Sequence, residues 1–442
     1  MAMNSNLIDF YLRRKKLEYG DYVSIRMVDG SKYRGYIMPK HEFSAEDILV
    51  IKLDNGYNIG LRIDKIDEIN REEPPKIREG VSLEDDYPQG MDLPNILVLG
   101  VGGTILSRVD YVTGAVRSAV SAEELLSILP EVGKIARIDT DIIMNKYSEH
   151  LTPRDWSIIA KTIYEYVSSG KYDGIVVLHG TDTLGYTAAA LSFAIQNCPI
   201  PVILVGSQRS SDRPSSDAAL NLISTIRIAG YADIAGVYVA MHGGTSDNIV
   251  VLHKGTRVRK NHTSRRDAFQ SIDVEPILTI DKSGGIHYNN IELKRDPDRY
   301  PVLYPDFSED VALVKFYPGM HRNILISLVN SGVKALIIEG TGLGHIGGHL
   351  FDTIGAIIRD GVKVFMTSQC IWGRVNMNVY DTGRILMKLG VVPLENMISE
   401  TAYVKASWAL GNFGERELVE IMRTNIMGEM IERSPIYGER GF

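Results

Sequence analysis

The chain is poor in cysteine: of 442 residues only Cys198 and Cys370 are cysteines, and they form no CxxC pair. A disulfide framework is thereby excluded, and a reducing compartment fits. Long apolar runs are missing as well. No stretch approaches the ~20 consecutive apolar residues that span a bilayer. The first residues, with Asp9, Arg13, Arg14, Lys15 and Lys16, lack the apolar segment of a secretory signal, so the expected location is cytoplasmic. A net positive charge is also absent. A net charge of −7 argues against a generally basic nucleic-acid-binding surface and leaves room only for a local patch. What is abundant, 44% hydrophobic with 23% charged residues, is the mixture of an ordinary globular protein. The length suffices for two or three domains with a large core.

Residues 1–70 have a rhythm of their own. Tyr22-Val-Ser-Ile-Arg-Met27 alternates, Asp29-Gly30 supplies a turn, and Tyr33-Arg-Gly-Tyr-Ile-Met38 returns. Ile48-Leu-Val-Ile-Lys-Leu53 meets a second turn at Asn55-Gly56, then Tyr57-Asn-Ile-Gly60, and residues 63–69 read as the last strand. Asp-Gly and Asn-Gly between short alternating strands are strong hairpin signals. About five strands in so short a span predict a small SH3-like or Sm-like β-barrel, a module for docking a partner. Residues 71–94 read as a linker, dense in charge and carrying Pro74-Pro75, Pro88 and Pro94.

From Asn95 onward strands and helices alternate, which predicts an α/β body with parallel sheets covered on both faces. Apolar runs at 96–99, 175–178, 202–205 and 236–240 read as strands. Residues 121–129, 155–168, 186–195 and 218–229 read as helices, the second with Trp156, Ile159, Ile163 and Val167 on one face. The pattern weakens across Pro276, Pro297, Pro301 and Pro305, then resumes with strands at 311–316, 335–339 and 362–366 and helices at 320–331 and 350–360. The body thus divides into a larger unit over 95–285, a connecting segment over 286–307 and a smaller unit over 308–442.

Two strand ends carry the chemistry. Leu178-His-Gly-Thr-Asp-Thr-Leu184 leaves one strand and opens a helix, so Thr181 and Asp182 stand where open α/β sheets collect ligands. Taken alone, such a stretch is an N-cap. A second stretch, Leu99-Gly-Val-Gly-Gly-Thr-Ile105, leaves the first strand of the body, and its glycines permit close approach of backbone amides. Ile105 stands where the dinucleotide pattern GxGxxG would need glycine, so a hydroxyl, Thr104, is presented instead. Two threonines beside a carboxylate suit amide hydrolysis: one hydroxyl attacks, the other orients or activates, and N–H groups hold the oxyanion. Threonine needs a base, and Lys260, in the polar stretch Val258-Arg-Lys-Asn-His-Thr-Ser-Arg-Arg266, is a candidate in a loop-like setting. Three other patterns do not hold. Gly342-Leu-Gly-His-Ile-Gly347 satisfies GxGxxG without an acid for a ribose after the next strand, His345 and His349 lack the glutamate of HExxH, and Ser207 and Ser210 lack the GxSxG elbow.

Val101-Gly-Gly-Thr-Ile105 and Leu178-His-Gly-Thr-Asp-Thr-Leu184 resemble the two active-site signatures of bacterial-type L-asparaginases. Asn145-Lys-Tyr-Ser-Glu149, Gly206-Ser-Gln-Arg209, Lys260-Asn-His-Thr263 and Glu339-Gly-Thr-Gly-Leu-Gly344 resemble further motifs of that family, in its order, over roughly residues 95–425. The resemblance implies Thr104 as primary nucleophile, with Thr181, Asp182 and Lys260 as a second catalytic group, and leaves open which threonine attacks first. It implies Ser148 and Glu149 as holders of the substrate's α-amino and carboxylate ends, with Gly103 and Gly180 in the binding set. It also implies a loop tyrosine, for which Tyr111 is the nearby candidate at a shorter spacing than usual. An asparaginase-like body behind a barrel of this kind resembles the D-subunit family of archaeal tRNA-dependent amidotransferases. That likeness implies glutamine hydrolysis and a homodimer in a heterotetramer with a partner of the E-subunit type. The partner would use the ammonia with ATP and Mg2+ to convert Glu-tRNA(Gln), and would make most of the tRNA(Gln) contacts. No cofactor is expected in this chain. The alternative is a stand-alone cytoplasmic L-asparaginase.

Overall fold

The computed structural model describes residues 7–38, 45–53, 58–73, 93–103, 107–109, 116–118, 129, 131–209, 216–290 and 293–433. The Asn55-Gly56 turn, most of the 71–94 linker, residues 121–128 of the helix read over 121–129, Thr104 and Tyr111 lie outside the described residues.

The N-terminal strands Tyr22–Met27, Lys32–Ile37, Ile48–Leu53, Asn58–Arg62 and Ile66–Arg71 form one five-stranded antiparallel sheet. The first pairs with both the second and the fifth, so Val23 and Ile25 face a core shared with Ile37, Leu49, Ile51 and Ile69. Gly35 is required where the second strand crosses the third, since a Cβ there would lie 2.0 Å from the Lys52 carbonyl oxygen. The last strand differs from its reading over 63–69: Ile63–Lys65 is a 3-10 turn and pairing starts at Ile66. A helix absent from the sequence reading, Leu7–Lys15, seals this core with Ile8 and Leu12, one turn apart on its inner face.

The larger sheet of the body has eight strands. Its parallel part runs Gly236–His242, Pro201–Val205, Gly174–Leu178, Asn95–Gly100, Arg137–Ile142 across the sheet. Period-two alternation sends Ile96, Val98, Val176 and Ile203 to one packed face, against Leu222 and Ile226 of helix Ala218–Tyr231. Leu97, Leu99, Ile175 and Val177 go to the other, against Ile159 and Ile163 of helix Pro153–Ser168 and Leu184 and Leu191 of helix Leu184–Ala194. Burial on both faces explains the unbroken apolar runs of the central strands. The strand Arg137–Ile142 escaped the sequence reading because, at the edge, it spells Arg-Ile-Asp-Thr-Asp-Ile. Ile249–Lys254, Leu278–Asp281 and Ile286–Tyr288 extend the opposite edge in antiparallel pairing, which the βαβ rhythm does not signal.

A second, four-stranded parallel sheet contains Val311–Lys315, Ala335–Gly340, Lys363–Ser368 and Val392–Pro393. Helices Asp381–Leu389, Ser399–Phe413 and Leu418–Arg423 complete this unit beyond what the sequence reading placed. The two sheets share a core around helix Leu184–Ala194, where Phe193 stacks on Trp408 with centroids 5.4 Å apart. Fully buried charges lie beside the same seam. Lys405 pairs with Glu429, whose carboxylate also accepts the N–H groups of Ile426 and Met427. The Arg257 guanidinium donates to the carbonyls of Ile272, Asn396 and Glu429 at 2.7–3.0 Å.

Breaking a buried pair from one side strands the other charge. Glu429→Ala is therefore expected to lose about 3–5 kcal/mol of stability in a urea titration. A loss below about 1 kcal/mol would contradict this role of the pair.

Candidate active site

The register of the parallel strands sets the site. Leu178 pairs with Gly100 at the strand ends, so the two loops that follow emerge side by side. Glycine then lets them touch. Gly103 has φ +91°, and a Cβ on it would fall 2.6 Å from the Gly180 nitrogen; a Cβ on Gly102, at φ +142°, would fall 1.9 Å from the Lys146 carbonyl oxygen. A Cβ on Gly180 would in turn fall 2.8 Å from the Ser148 hydroxyl oxygen, and one on Gly206 2.9 Å from Cγ2 of Thr181. Gly103, Gly180, Ser148 and Thr181 thus share one wall with no side chain intervening.

The bland reading of Thr181 to Thr183 as a helix cap does not hold. Helix Leu184–Ala194 starts at its N-cap Thr183 with no side-chain cap bond, and the Thr183 hydroxyl donates to the Ser148 carbonyl at 2.6 Å. That bond ties the Thr181 loop to the turn Ser148–His150, where Ser148 is buried and Glu149 exposed. No hydrogen bond among the described residues joins Glu149 to Thr181, Asp182 or Lys260.

Lys260 completes the group. It is the last residue of the short strand Val258–Lys260, paired antiparallel with Phe269–Ser271, and not in a loop as its polar surroundings suggested. Its Nζ donates to the Thr181 hydroxyl oxygen at 2.8 Å and to Asp182 Oδ1 at 2.7 Å. Only 15% of the Lys260 side chain is exposed, against 67% of Asp182, so the ammonium position is enclosed while the carboxylate faces solvent. Residues 79 positions apart therefore converge: a hydroxyl, an amine and a carboxylate in hydrogen-bonded sequence. This arrangement can move a proton from a hydroxyl to an amine whose charge the carboxylate balances.

Several supporting residues have no role assigned from sequence. Asp217, fully buried, accepts the N–H groups of Gln208 and Arg209 at 3.0 and 2.9 Å and the Asn221 amide at 3.0 Å, fixing the loop after strand Pro201–Val205. Its signal was an acid just before an apolar helix. Arg259, beside Lys260, pairs at 2.7 Å with Glu400 at the start of helix Ser399–Phe413, which ties this strand to the second sheet unit. His179 is fully buried in the site loop, and burial pushes its pKa down to about 4. The other histidine pattern separates: His345 bonds Thr382 and His349 bonds the Met320 carbonyl. Among the described residues no group of three or more His, Cys, Asp or Glu could hold a metal ion, and no helix is long and apolar enough to cross a membrane.

Comparison with known proteins agrees with this geometry. Residues 95–294 match the family described as asparaginase, N-terminal, and residues 310–422 the glutaminase/asparaginase C-terminal domain. The thermostable L-asparaginase from Thermococcus kodakarensis superposes with a TM-score of 0.68 at 33% identity, over 77% of this chain and 100% of that one. L-asparaginase I from Vibrio cholerae gives 0.66 at 29%, with the same coverage. The class is therefore an asparaginase-type α/β body. Residues 17–71 match the GatD N-terminal domain, a module beyond the asparaginase-type body. Over 427 residues the chain is 49% identical to the D subunit of glutamyl-tRNA(Gln) amidotransferase from Pyrococcus furiosus, covering 96% of this chain and 97% of that one. It is 46% identical to the D subunit from Thermofilum pendens over 423 residues, 94% and 93% of the two chains. The chain belongs to the D-subunit family of the glutamyl-tRNA(Gln) amidotransferases.

Buried neutral histidines make the fold acid-sensitive. His179, at about 4, and His253, pushed down by burial to about 3, stay neutral where the unfolded chain, near 6.5, takes up protons. As pH falls below 6.5 the unfolded state binds more protons, so stability is lost. Each histidine should remove about 1.6 kcal/mol between pH 6.5 and pH 5, measurable by urea titration. His253→Asn should flatten this slope; stability unchanged down to pH 5 would contradict the account.

Proposed function

We propose that this chain is the glutaminase of a tRNA-dependent amidotransferase: it hydrolyses L-glutamine to glutamate and passes ammonia to a partner subunit. The observation that carries the reading is the Lys260 amine bridging the Thr181 hydroxyl and the Asp182 carboxylate at 2.8 and 2.7 Å. In the proposed reaction a threonine Oγ attacks the side-chain amide carbon, and its proton passes toward Lys260. N–H groups at the strand ends hold the tetrahedral oxyanion. The C–N bond then breaks, the proton leaves with the nitrogen as ammonia, and water hydrolyses the resulting ester to glutamate. Thr104 is the proposed first nucleophile by family resemblance, with Thr181 as the second. Tyr111 is proposed as the loop tyrosine of the catalytic set, Ser148 and Glu149 to hold the α-amino and carboxylate ends, and Gly103 and Gly180 to line the binding wall.

The relatives' name supplies the wider context. In this reading the chain forms a homodimer flanked by two partner subunits. The partner uses ATP and Mg2+ to convert Glu-tRNA(Gln) to Gln-tRNA(Gln) and makes most of the tRNA contacts. The net charge of −7 suits such a division of labour. A second reading, a stand-alone L-asparaginase, is favoured by the likeness of the body to two L-asparaginases.

Ammonia release from L-glutamine and L-asparagine separates them. Glutamine turnover should rise when the partner, ATP, Mg2+ and Glu-tRNA(Gln) are added, whereas strong partner-independent asparagine turnover would favour the second reading. In either case Lys260→Met should lower kcat by about 10²–10⁴-fold, the range for loss of a positioned base. Undiminished release by Lys260→Met or Thr181→Ala would overturn the site.

A further inference from the structure

His179 is a residue of the site loop to which the proposed mechanism gives no role, although its ring is buried against the loop's own backbone. The imidazole is 1% exposed, and its Nδ1 lies 2.7 Å from the carbonyl oxygen of Gly180. A carbonyl can only accept, so Nδ1 carries the proton and donates. Burial keeps the ring neutral with a pKa pushed down to about 4, so this tautomer persists across the physiological range. Nε2, buried, has no partner among the described residues. Nothing else among them holds the ring by a hydrogen bond, and the bond to Gly180 is its single polar anchor there.

That carbonyl belongs to the peptide unit linking Gly180 to Thr181. In a planar trans peptide the C=O and the following N–H point in opposite directions. Holding the Gly180 oxygen toward the buried imidazole therefore turns the Thr181 N–H away from it, toward the side where Thr181 is half-buried and Asp182 exposed. Gly180 has no Cβ to stiffen this unit, since a side chain there would collide with Ser148. A glycine peptide between two tight contacts is free to flip unless something fixes it.

We infer that His179 is a positioning residue: its Nδ1–H locks the Gly180–Thr181 peptide so that the Thr181 N–H faces the reacting amide and donates to the developing oxyanion. The inference rests on the amide-hydrolysis reading of the site. The imidazole acts only through the peptide and touches no substrate. Its value is preorganisation, because a donor already aimed at the oxyanion needs no reorientation during the reaction.

The test compares three substitutions in the full-length chain, assayed for ammonia release from L-glutamine and L-asparagine, alone and with the partner subunit. His179→Asn places an amide N–H close to the position of Nδ1, His179→Gln carries it one methylene too far, and His179→Leu removes it. Thermal unfolding of each variant is measured in parallel. With the wild type active on either amide, His179→Leu should lose about 10²-fold in kcat, the scale for loss of one oxyanion donor, with KM within about threefold. His179→Asn should recover at least tenfold over His179→Leu, and His179→Gln should not. Equal kcat for the Asn and Gln variants, or losses that follow only the unfolding temperatures, would overturn the inference. Should His179→Leu fail to fold, the Asn–Gln comparison still decides. A wild type inactive on both amides, with and without the partner, would instead overturn the functional reading on which the inference rests.

Discussion

Parallel pairing of strands Asn95–Gly100 and Gly174–Leu178 is the constraint on which the rest of the site depends. Because Gly100 and Leu178 stand opposite each other, the two polar loops leave the sheet at one height. The left-handed backbone at Gly103 lets them meet backbone to backbone. A one-residue slip in that register would invert the faces of every residue along the strand and carry Thr181 out of reach of Lys260. Two packed cores, one on each face, oppose such a slip, since Leu97 and Val98 already belong to opposite sides. The chemistry thus inherits its geometry from hydrophobic burial well below it.

Lys260 reaches the site from a different direction, and its strand is held by the second sheet unit. Arg257, three residues earlier, is fully buried and satisfies carbonyls at Ile272, Asn396 and Glu429, while Arg259 pairs with Glu400. A buried guanidinium is costly unless every contact is in place. The second unit therefore does more than fill space: it sets the position of the strand from which the lysine extends. The Lys405–Glu429 pair fastens the segment that supplies one of those carbonyls.

Much of this was legible in the sequence, and the parts that were not have physical reasons. The central strands declared themselves because burial on both faces demands continuous apolar runs, as at Ile175-Val-Val-Leu178. The Thr181 loop was readable from its place after such a strand. The edge strand Arg137–Ile142 and the antiparallel additions were not, since edge strands carry polar residues and short pairings leave no period to count. Helix Leu7–Lys15 was hidden by its charge, with only Ile8 and Leu12 turned inward. Lys260 reads as loop from sequence because a three-residue strand has no signature. Asp217 and Arg257 act through backbone groups, which residue identity alone does not reveal.

In the proposed reaction a threonine hydroxyl of this cluster forms a covalent bond to a glutamine-like substrate with help from Lys260. The most direct measurement is mass spectrometry of the chain after reaction with 6-diazo-5-oxo-L-norleucine, an electrophilic glutamine analogue. One adduct is expected, on the peptide containing Thr104 or the peptide containing Thr181, strongly reduced in Lys260→Met. An adduct located elsewhere, such as on Cys370, or labelling that is indifferent to Lys260, would contradict it.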